Sequence, residues 1–239
     1  TNKPLISVLI PVYRPRKEWL EAAIESVRNQ IYEHWQICLC VDGGDSVLAR
    51  DLSDYASDER IRIASLPQNG GISAALNAAV AIPDGTYCGF LDQDDLLAPT
   101  ALHRVAATLQ SGDADVLYTD EDVVTTEGSR ARLNLKPSWS PELLLYCMYM
   151  GHLLVVSKAA LANVGLFRPE FDGAQDYDLA LRLDEAGAVF RHIPAVLYHW
   201  RMHEGSTAAS AGAKPYAHEA GRRALAASLE RCGAQHGGG

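Results

Sequence analysis

Three carboxylates crowd into Asp92-Gln93-Asp94-Asp95, directly after an apolar run over residues 86–91. Carboxylates at that spacing repel one another, and a divalent cation relieves the repulsion. Mg²⁺ and Mn²⁺ take oxygen ligands and can bridge a carboxylate to a diphosphate. The same cluster equally suits a helix start, where Asp caps backbone N–H groups and meets the helix dipole. On that division Asp94 is the candidate metal ligand and Asp95 the capping residue. A second acidic group stands in Gln175-Asp176-Tyr177-Asp178, where a helical pattern begins. Asp176 there could take a proton from an attacking hydroxyl, although dipole stabilisation explains Asp178 as well as Asp176. His199, Arg201 and His203 follow an extended segment. Arginine can pair with phosphate and a neutral imidazole can complete a metal site, but lone histidines are more often surface or core residues.

Weaker signals lie between these. Asp42 precedes Gly43-Gly44 and could accept a hydrogen bond from a pyrimidine imide, or simply make a turn. Asn69-Gly70-Gly71, followed by Ser73, Ala74 and Asn77, opens a small-residue helix that a ligand could approach closely, or that packs closely on a sheet. No Gly-Lys-Ser/Thr follows, and the spacing is not GxGxxG, so neither a Walker loop nor a dinucleotide fingerprint is present. Asp120-Glu121-Asp122 and the stretch from Lys136 to Trp139 could face an acceptor, though structural roles fit most of those residues.

These groups need a scaffold, and the hydrophobic pattern supplies one. Apolar runs at residues 6–12, 37–41, 61–66, 86–91 and 116–119 read as strands. Trp19, Leu20, Ala23, Ile24 and Val27 recur at helical spacing, and further helices are predicted over 72–81, from Pro99-Thr100, and over 176–186 with Gly187 as the stop. The alternation predicts an α/β fold with a mostly parallel sheet and helices on both faces. Ligands in such sheets bind outside the carboxyl ends of the strands, where Asp42, Asn69, Asp92, Asp94 and Asp120 fall. The second half predicts a hairpin tip at Glu127-Gly128-Ser129, a short helix over 141–149, a strand over 152–157, a helix over 158–164 and an extended segment over 189–200. The simplest division of residues 1–239 is one domain. Its first half would cover about 1–120, its second half about 121–210, and a C-terminal helix 214–232.

The chain has 239 residues and a net charge of -9, which argues against a duplex nucleic-acid partner. Five cysteines without CxxC spacing suit buried reduced thiols, with Cys38 and Cys40 on one strand face. The longest apolar stretch, 143–156, is broken by Gly151 and His152 and falls short of the roughly 20 residues a spanning helix needs. A cytoplasmic protein is expected, with peripheral association at the inner face of the plasma membrane through other domains or partners left open. A start at Thr1 and an end at Gly239 suggest excision from a longer chain.

Taken in order, Ile6-Ser7-Val8-Leu9-Ile10-Pro11-Val12-Tyr13, Asp42, Asn69-Gly70-Gly71-Ile72-Ser73-Ala74-Ala75-Leu76-Asn77, Gly85-Thr86-Tyr87 and Phe90-Leu91-Asp92-Gln93-Asp94-Asp95 resemble the family 2 glycosyltransferases of the GT-A fold. Tyr118-Thr119-Asp120-Glu121-Asp122, Trp139-Ser140-Pro141, Gly173-Ala174-Gln175-Asp176-Tyr177-Asp178-Leu179 and Tyr198-His199-Trp200-Arg201 look like the branch that builds O-antigen, rhamnan and related polysaccharides. The resemblance implies that Pro11, Val12 and Tyr13 line the nucleotide base, with Arg14 beside them, and that Asp42 contacts the pyrimidine. Asn69, Gly71 and Asn77 would sit near ribose and phosphates. Asp92 and Asp94 match the DXD element, with Gln93 between them and Arg201 assisting. Asp94 and His203 would hold Mn²⁺ or Mg²⁺. Asp176 matches the base, and Gln175 replaces the family's usual glutamate. Gln175, Trp139 and His152 are the acceptor-side candidates.

The implied reaction is an inverting transfer from a UDP- or dTDP-sugar to a hydroxyl of a glycan or lipid-linked glycan. A non-catalytic domain binding nucleotide or glycan is the alternative. A nucleotidyltransferase ranks lower, because Tyr13-Arg14-Pro15-Arg16-Lys17 contains no glycine.

Overall fold

The computed structural model describes residues 3–44, 48, 50, 52–203 and 215–236. The chain ends, residues 204–210 of the expected second half and Lys214 lie outside the described residues. Strands β1 (Ile6–Val12), β2 (Trp35–Val41), β3 (Ile61–Ser65) and β4 (Tyr87–Phe90) form a parallel unit in the order β3-β2-β1-β4. The chain steps outward from β1 to β3, then returns to the other side of β1. That reversal leaves a crevice beyond the carboxyl ends of β1 and β4.

Alternation along each strand sorts its side chains. Ile6, Val8, Ile10 and Val12 of β1 join Ile37, Leu39 and Val41 of β2 in one core layer. Helix α1 (Lys17–Arg28) covers that layer with Leu20, Ala23, Ile24 and Val27. Leu9, Cys38, Cys40 and Cys88 face the other way, against α2 (Ile72–Val80). Cys38, Cys40 and Cys88 are buried, and burial pushes the thiol of Cys38 up to about 12 and that of Cys40 to about 11. Those three pack and do not react. Cys147 and Cys232 are exposed, against the expectation that all five thiols are buried.

The remaining strands are β5 (Leu96–Leu97), β6 (Val116–Val124), β7 (Arg130–Asn134), β8 (Leu154–Ser157) and β9 (Phe190–Arg201). Strand β8 wedges antiparallel between β4 and β6, and β9 lies parallel to β6, so the nine-stranded sheet is mixed beyond its parallel unit. The helices here are α3 (Ala101–Ser111), α4 (Pro141–Leu144), α5 (Lys158–Val164), α6 (Gln175–Glu185) and α7 (Pro215–His236). Among the described residues no helix is long and apolar enough to cross a membrane.

Two expectations are corrected. Asp120-Glu121-Asp122 does not end β6 but lies inside it, buried. Each carboxylate has its own partner: Asp120 meets His192 Nε2 at 2.8 Å, Glu121 meets Lys136 Nζ at 3.1 Å, and Asp122 meets His199 Nδ1 at 2.6 Å. Pairing to β7 and β9 carries the strand through what reads as a terminator. The second correction is that the short helix expected over 141–149 stops at Leu144.

Helix α6 separates its two acids. Asp178 is fully buried and bonded by Arg168 and, at 2.9 Å, by Arg182 Nη2. Arg182 also donates to the carbonyls of Val164, Gly165 and Leu166. Asp178→Ala strands two guanidinium groups, one of them buried. It is expected to cost about 3–5 kcal/mol of stability in a urea titration.

Candidate active site

Most groups of the site hang from the end of a strand or the start of a helix, and His152 from the loop that enters β8. After β4 comes Asp92-Gln93-Asp94-Asp95. Asp95 caps no helix, contrary to expectation, because β5 follows it directly. It is buried, accepts from Tyr198 Oη at 2.6 Å and from Arg201 N at 2.8 Å, and so pins β9 to the acidic loop. Burial, together with the charges of Asp92 and Asp94, holds its carboxyl well above the usual range. Tyr198 Oη also accepts from Asp92 N at 3.2 Å. Tyr198→Phe removes both links, and an expected loss of about 1–3 kcal/mol is measurable by urea unfolding.

With β9 pinned, its end reaches the acidic loop. Arg201 Nε donates to the Asp94 carbonyl at 2.8 Å. His203 Nε2 lies 2.6 Å from Asp94 Oδ2, and its ring packs 4.7 Å from Trp19. Arg16 and Arg201 stand over the same indole, at 4.4 and 5.6 Å. Trp19 reads as a core residue by helical spacing, yet it forms a wall of this site.

His152 is the common neighbour of the two acidic centres. Its Nε2 is 3.9 Å from Asp92 Oδ2, and positive charge on its ring would act on Asp176. Burial pushes the Asp176 carboxyl above the usual range, against the lowering pull of His152 and of backbone N–H donors that include Tyr177 N at 2.8 Å. A carboxyl held above its ordinary range is a better proton acceptor than a free aspartate. His152 stacks on Tyr198 with centroids 4.7 Å apart and meets Trp200 edge-on at 5.9 Å. Gln175 Oε1 accepts from Gly173 N at 2.9 Å and shapes the turn before Asp176.

Beneath His152 lies a buried ion pair. The side chains of Lys136 and Glu121 are 1% and 4% exposed. Burial works against the charge on both. The ammonium of Lys136, the His152 ring and hydrogen bonds from Asn134 and His152 N nevertheless hold Glu121 below its usual range.

On the nucleotide side several expected residues turn inward. Val12 is fully buried in the core, so its side chain cannot line a base. Asn77 is spent on Phe167: its Nδ2 donates to the carbonyl and its Oδ1 accepts from the amide. Gln93 clasps the Tyr13 backbone both ways, at 2.9 and 3.0 Å, and so positions Tyr13. Trp139 stacks on Phe190 at 3.7 Å, at the other end of β9 from Arg201. Asp42 uses both oxygens on Gly70 N and Gly71 N, at 2.7 and 3.0 Å, and thus makes the turn. Pro11 is half-buried, while Tyr13, Arg14 and Asn69 are exposed around the crevice mouth. Arg14 lies over the Tyr13 ring at 5.2 Å. Asn69 Oδ1 accepts from Gly71 N. Gly71, at φ +86°, admits no side chain because Asp172 closes on it.

Among the described residues no three His, Cys, Asp or Glu side chains could hold a metal by themselves. The donors that do converge, a carboxylate oxygen and an imidazole nitrogen, suit Mn²⁺ or Mg²⁺ if the other positions come from diphosphate and water.

The family model for glycosyl transferase family 2 matches residues 7–161. The chain belongs to that family. It is 46% identical over 235 residues to protein y4gI of Sinorhizobium fredii, covering 96% of this chain and 26% of the relative. It is 39% identical over 236 residues to the O-antigen biosynthesis protein RfbC of Myxococcus xanthus, covering 98% of this chain and 18% of the relative. This glycosyltransferase chain therefore spans about a quarter or less of those curated relatives. S. aureus TarS residues 1–349 in complex with UDP-GlcNAc matches with a TM-score of 0.74 at 17% identity, over 94% of this chain and 66% of that one. The shared fold is GT-A.

Proposed function

We propose that this domain transfers a sugar, with inversion, from a UDP- or dTDP-sugar to a glycan hydroxyl during bacterial surface-polysaccharide synthesis. The observation that carries this is His152, whose Nε2 stands 3.9 Å from Asp92 Oδ2 and whose ring is near enough to act on the carboxyl of Asp176, itself held above its usual range by burial. One acid then serves the leaving group's side and the other serves the nucleophile. The RfbC likeness favours a polysaccharide product, and UDP-GlcNAc on TarS favours a UDP-sugar.

In this reading Tyr13, Arg14, Pro11 and Asn69 receive the nucleoside, with Asp42 and Gly71 shaping the floor. Asp94 and His203 would hold Mn²⁺ or Mg²⁺, which supplies positive charge to the departing diphosphate when bound. Asp176 takes the acceptor hydroxyl's proton while that oxygen bonds to the anomeric carbon, and the bond from that carbon to the diphosphate oxygen breaks. The pinned β9 places Arg201 under the acidic loop, where its charge favours the departing anion. Gln175 and His152 border the acceptor.

A screen of UDP-, dTDP- and GDP-sugars by thermal shift and donor hydrolysis, with and without Mn²⁺, tests this. A selective binder stabilises in proportion to its excess over Kd. The expected result is a metal-dependent shift with a pyrimidine sugar nucleotide. No shift with any donor would favour a non-catalytic domain instead.

A further inference from the structure

Burying an ion pair costs several kcal/mol per ion, and well-packed apolar residues of similar volume often do as well or better for stability. The pair Glu121–Lys136 therefore needs a reason beyond folding. Its hydrogen bonds supply one. Lys136 Nζ donates to the carbonyl of Met150 at 2.5 Å and to that of His152, and Glu121 Oε2 accepts from His152 N at 2.8 Å. The Glu121 carboxylate also lies so close to Gly151, at φ +46°, that a Cβ there would approach Oε2 to 2.9 Å. Asn134 Nδ2 completes the cluster, donating to Glu121 Oε1 at 2.8 Å. Three consecutive residues, Met150, Gly151 and His152, are thus gripped by two opposite charges that are almost entirely buried. The last of the three carries the ring that stands 3.9 Å from Asp92.

We propose that Glu121 and Lys136 are positioning residues for His152, fixing its imidazole against Asp92 and the Tyr198 ring at the site of the transfer reaction. The idea rests on the glycosyl-transfer reading above. Neither residue of the pair touches substrate; each acts through the backbone of residues 150–152. The charges supply directional bonds to that backbone that apolar replacements cannot make.

The test is the double variant Glu121→Gln with Lys136→Met, which removes both charges and leaves neither one uncompensated. Its melting temperature should fall by several degrees, because the carbonyls of Met150 and His152 lose their donor, with the fold retained. Its kcat should fall about 10- to 100-fold, the scale of a slightly misplaced group, with the donor KM within about twofold. A second readout is independent of turnover. The His152 ring protons sit in the ring currents of Tyr198 and Trp200, and NMR should show that shift lost in the double variant. Lys136→Arg, which keeps the cation, should recover part of the shift. A folded double variant with wild-type kcat, or with unchanged His152 resonances, overturns the proposal. If the wild-type chain transfers no sugar at all, the transfer reading fails by itself, and the resonances still decide whether the pair positions His152.

Discussion

Asp176→Asn is expected to lose nearly all turnover and to melt at a higher temperature than wild type. Burial holds the Asp176 carboxyl above the usual carboxylate range, so the folded chain binds that proton more tightly than the unfolded chain. Stability then falls as pH rises from the unfolded-state value through the folded one. Above that window the ionised carboxylate is a net cost to folding. Asparagine keeps the shape and the acceptor oxygen for Tyr177 N but carries no charge. At neutral pH the variant should be the more stable protein, and the difference should vanish at acid pH, where both side chains are neutral. Turnover should drop by about 10²–10⁴, the usual contribution of a positioned base. The wild-type kcat should lose activity on its acid side at a higher pH than a solvent-exposed aspartate would give. Calorimetry across pH and initial rates on the same samples check both halves. A less stable variant that keeps most of its rate would make Asp176 a structural residue.

Much of the first half is legible in the sequence because its parallel strands all end at the same edge of the sheet. Asp92 and Asp94 follow β4, which pairs in parallel with β1, so both stand at the edge where strand–helix alternation predicts the polar groups. Side-chain direction is harder to read. Val12 and Tyr13 are adjacent, yet one is buried in the core and the other is 41% exposed. Asn77 looks like a ligand contact until the loop holding Phe167 arrives from ninety residues away. The second half hides more, since its polar residues answer partners across strands. Asp120, Glu121 and Asp122 read as a strand terminator because nothing local says that His192, Lys136 and His199 will meet them. Asp178 was separable from Asp176 in principle. Arg182 stands four residues on, the spacing at which a helix brings opposite charges together, and Asp176 has no such partner. Trp19 gives no comparable signal, because the histidine it touches is far along the chain.

Mn²⁺ and UDP are expected to bind together well and separately poorly. Asp94 and His203 bring two donor atoms within 2.6 Å of each other, and no protein-only cluster of three exists among the described residues. A near-octahedral cation must therefore draw further oxygens from diphosphate and water. Each ligand supplies part of the other's site, so each should tighten the other by the same factor, on the order of 5- to 150-fold. Calorimetric titration of Mn²⁺ with and without UDP, and of UDP with and without Mn²⁺, must return that one factor twice. Asp94→Ala should erase the coupling. It should also lower the rate by about 10²–10³, as when one contact that stabilises developing negative charge is lost. Chelation of wild type should mimic the variant, and added Mn²⁺ should restore wild type but not Asp94→Ala. Trp19 offers an internal reporter, because a change at His203 alters the surroundings of an indole 4.7 Å away. Equal Mn²⁺ affinity with and without UDP would place the cation elsewhere. The end of β9 would then carry His203 to Asp94 for folding alone.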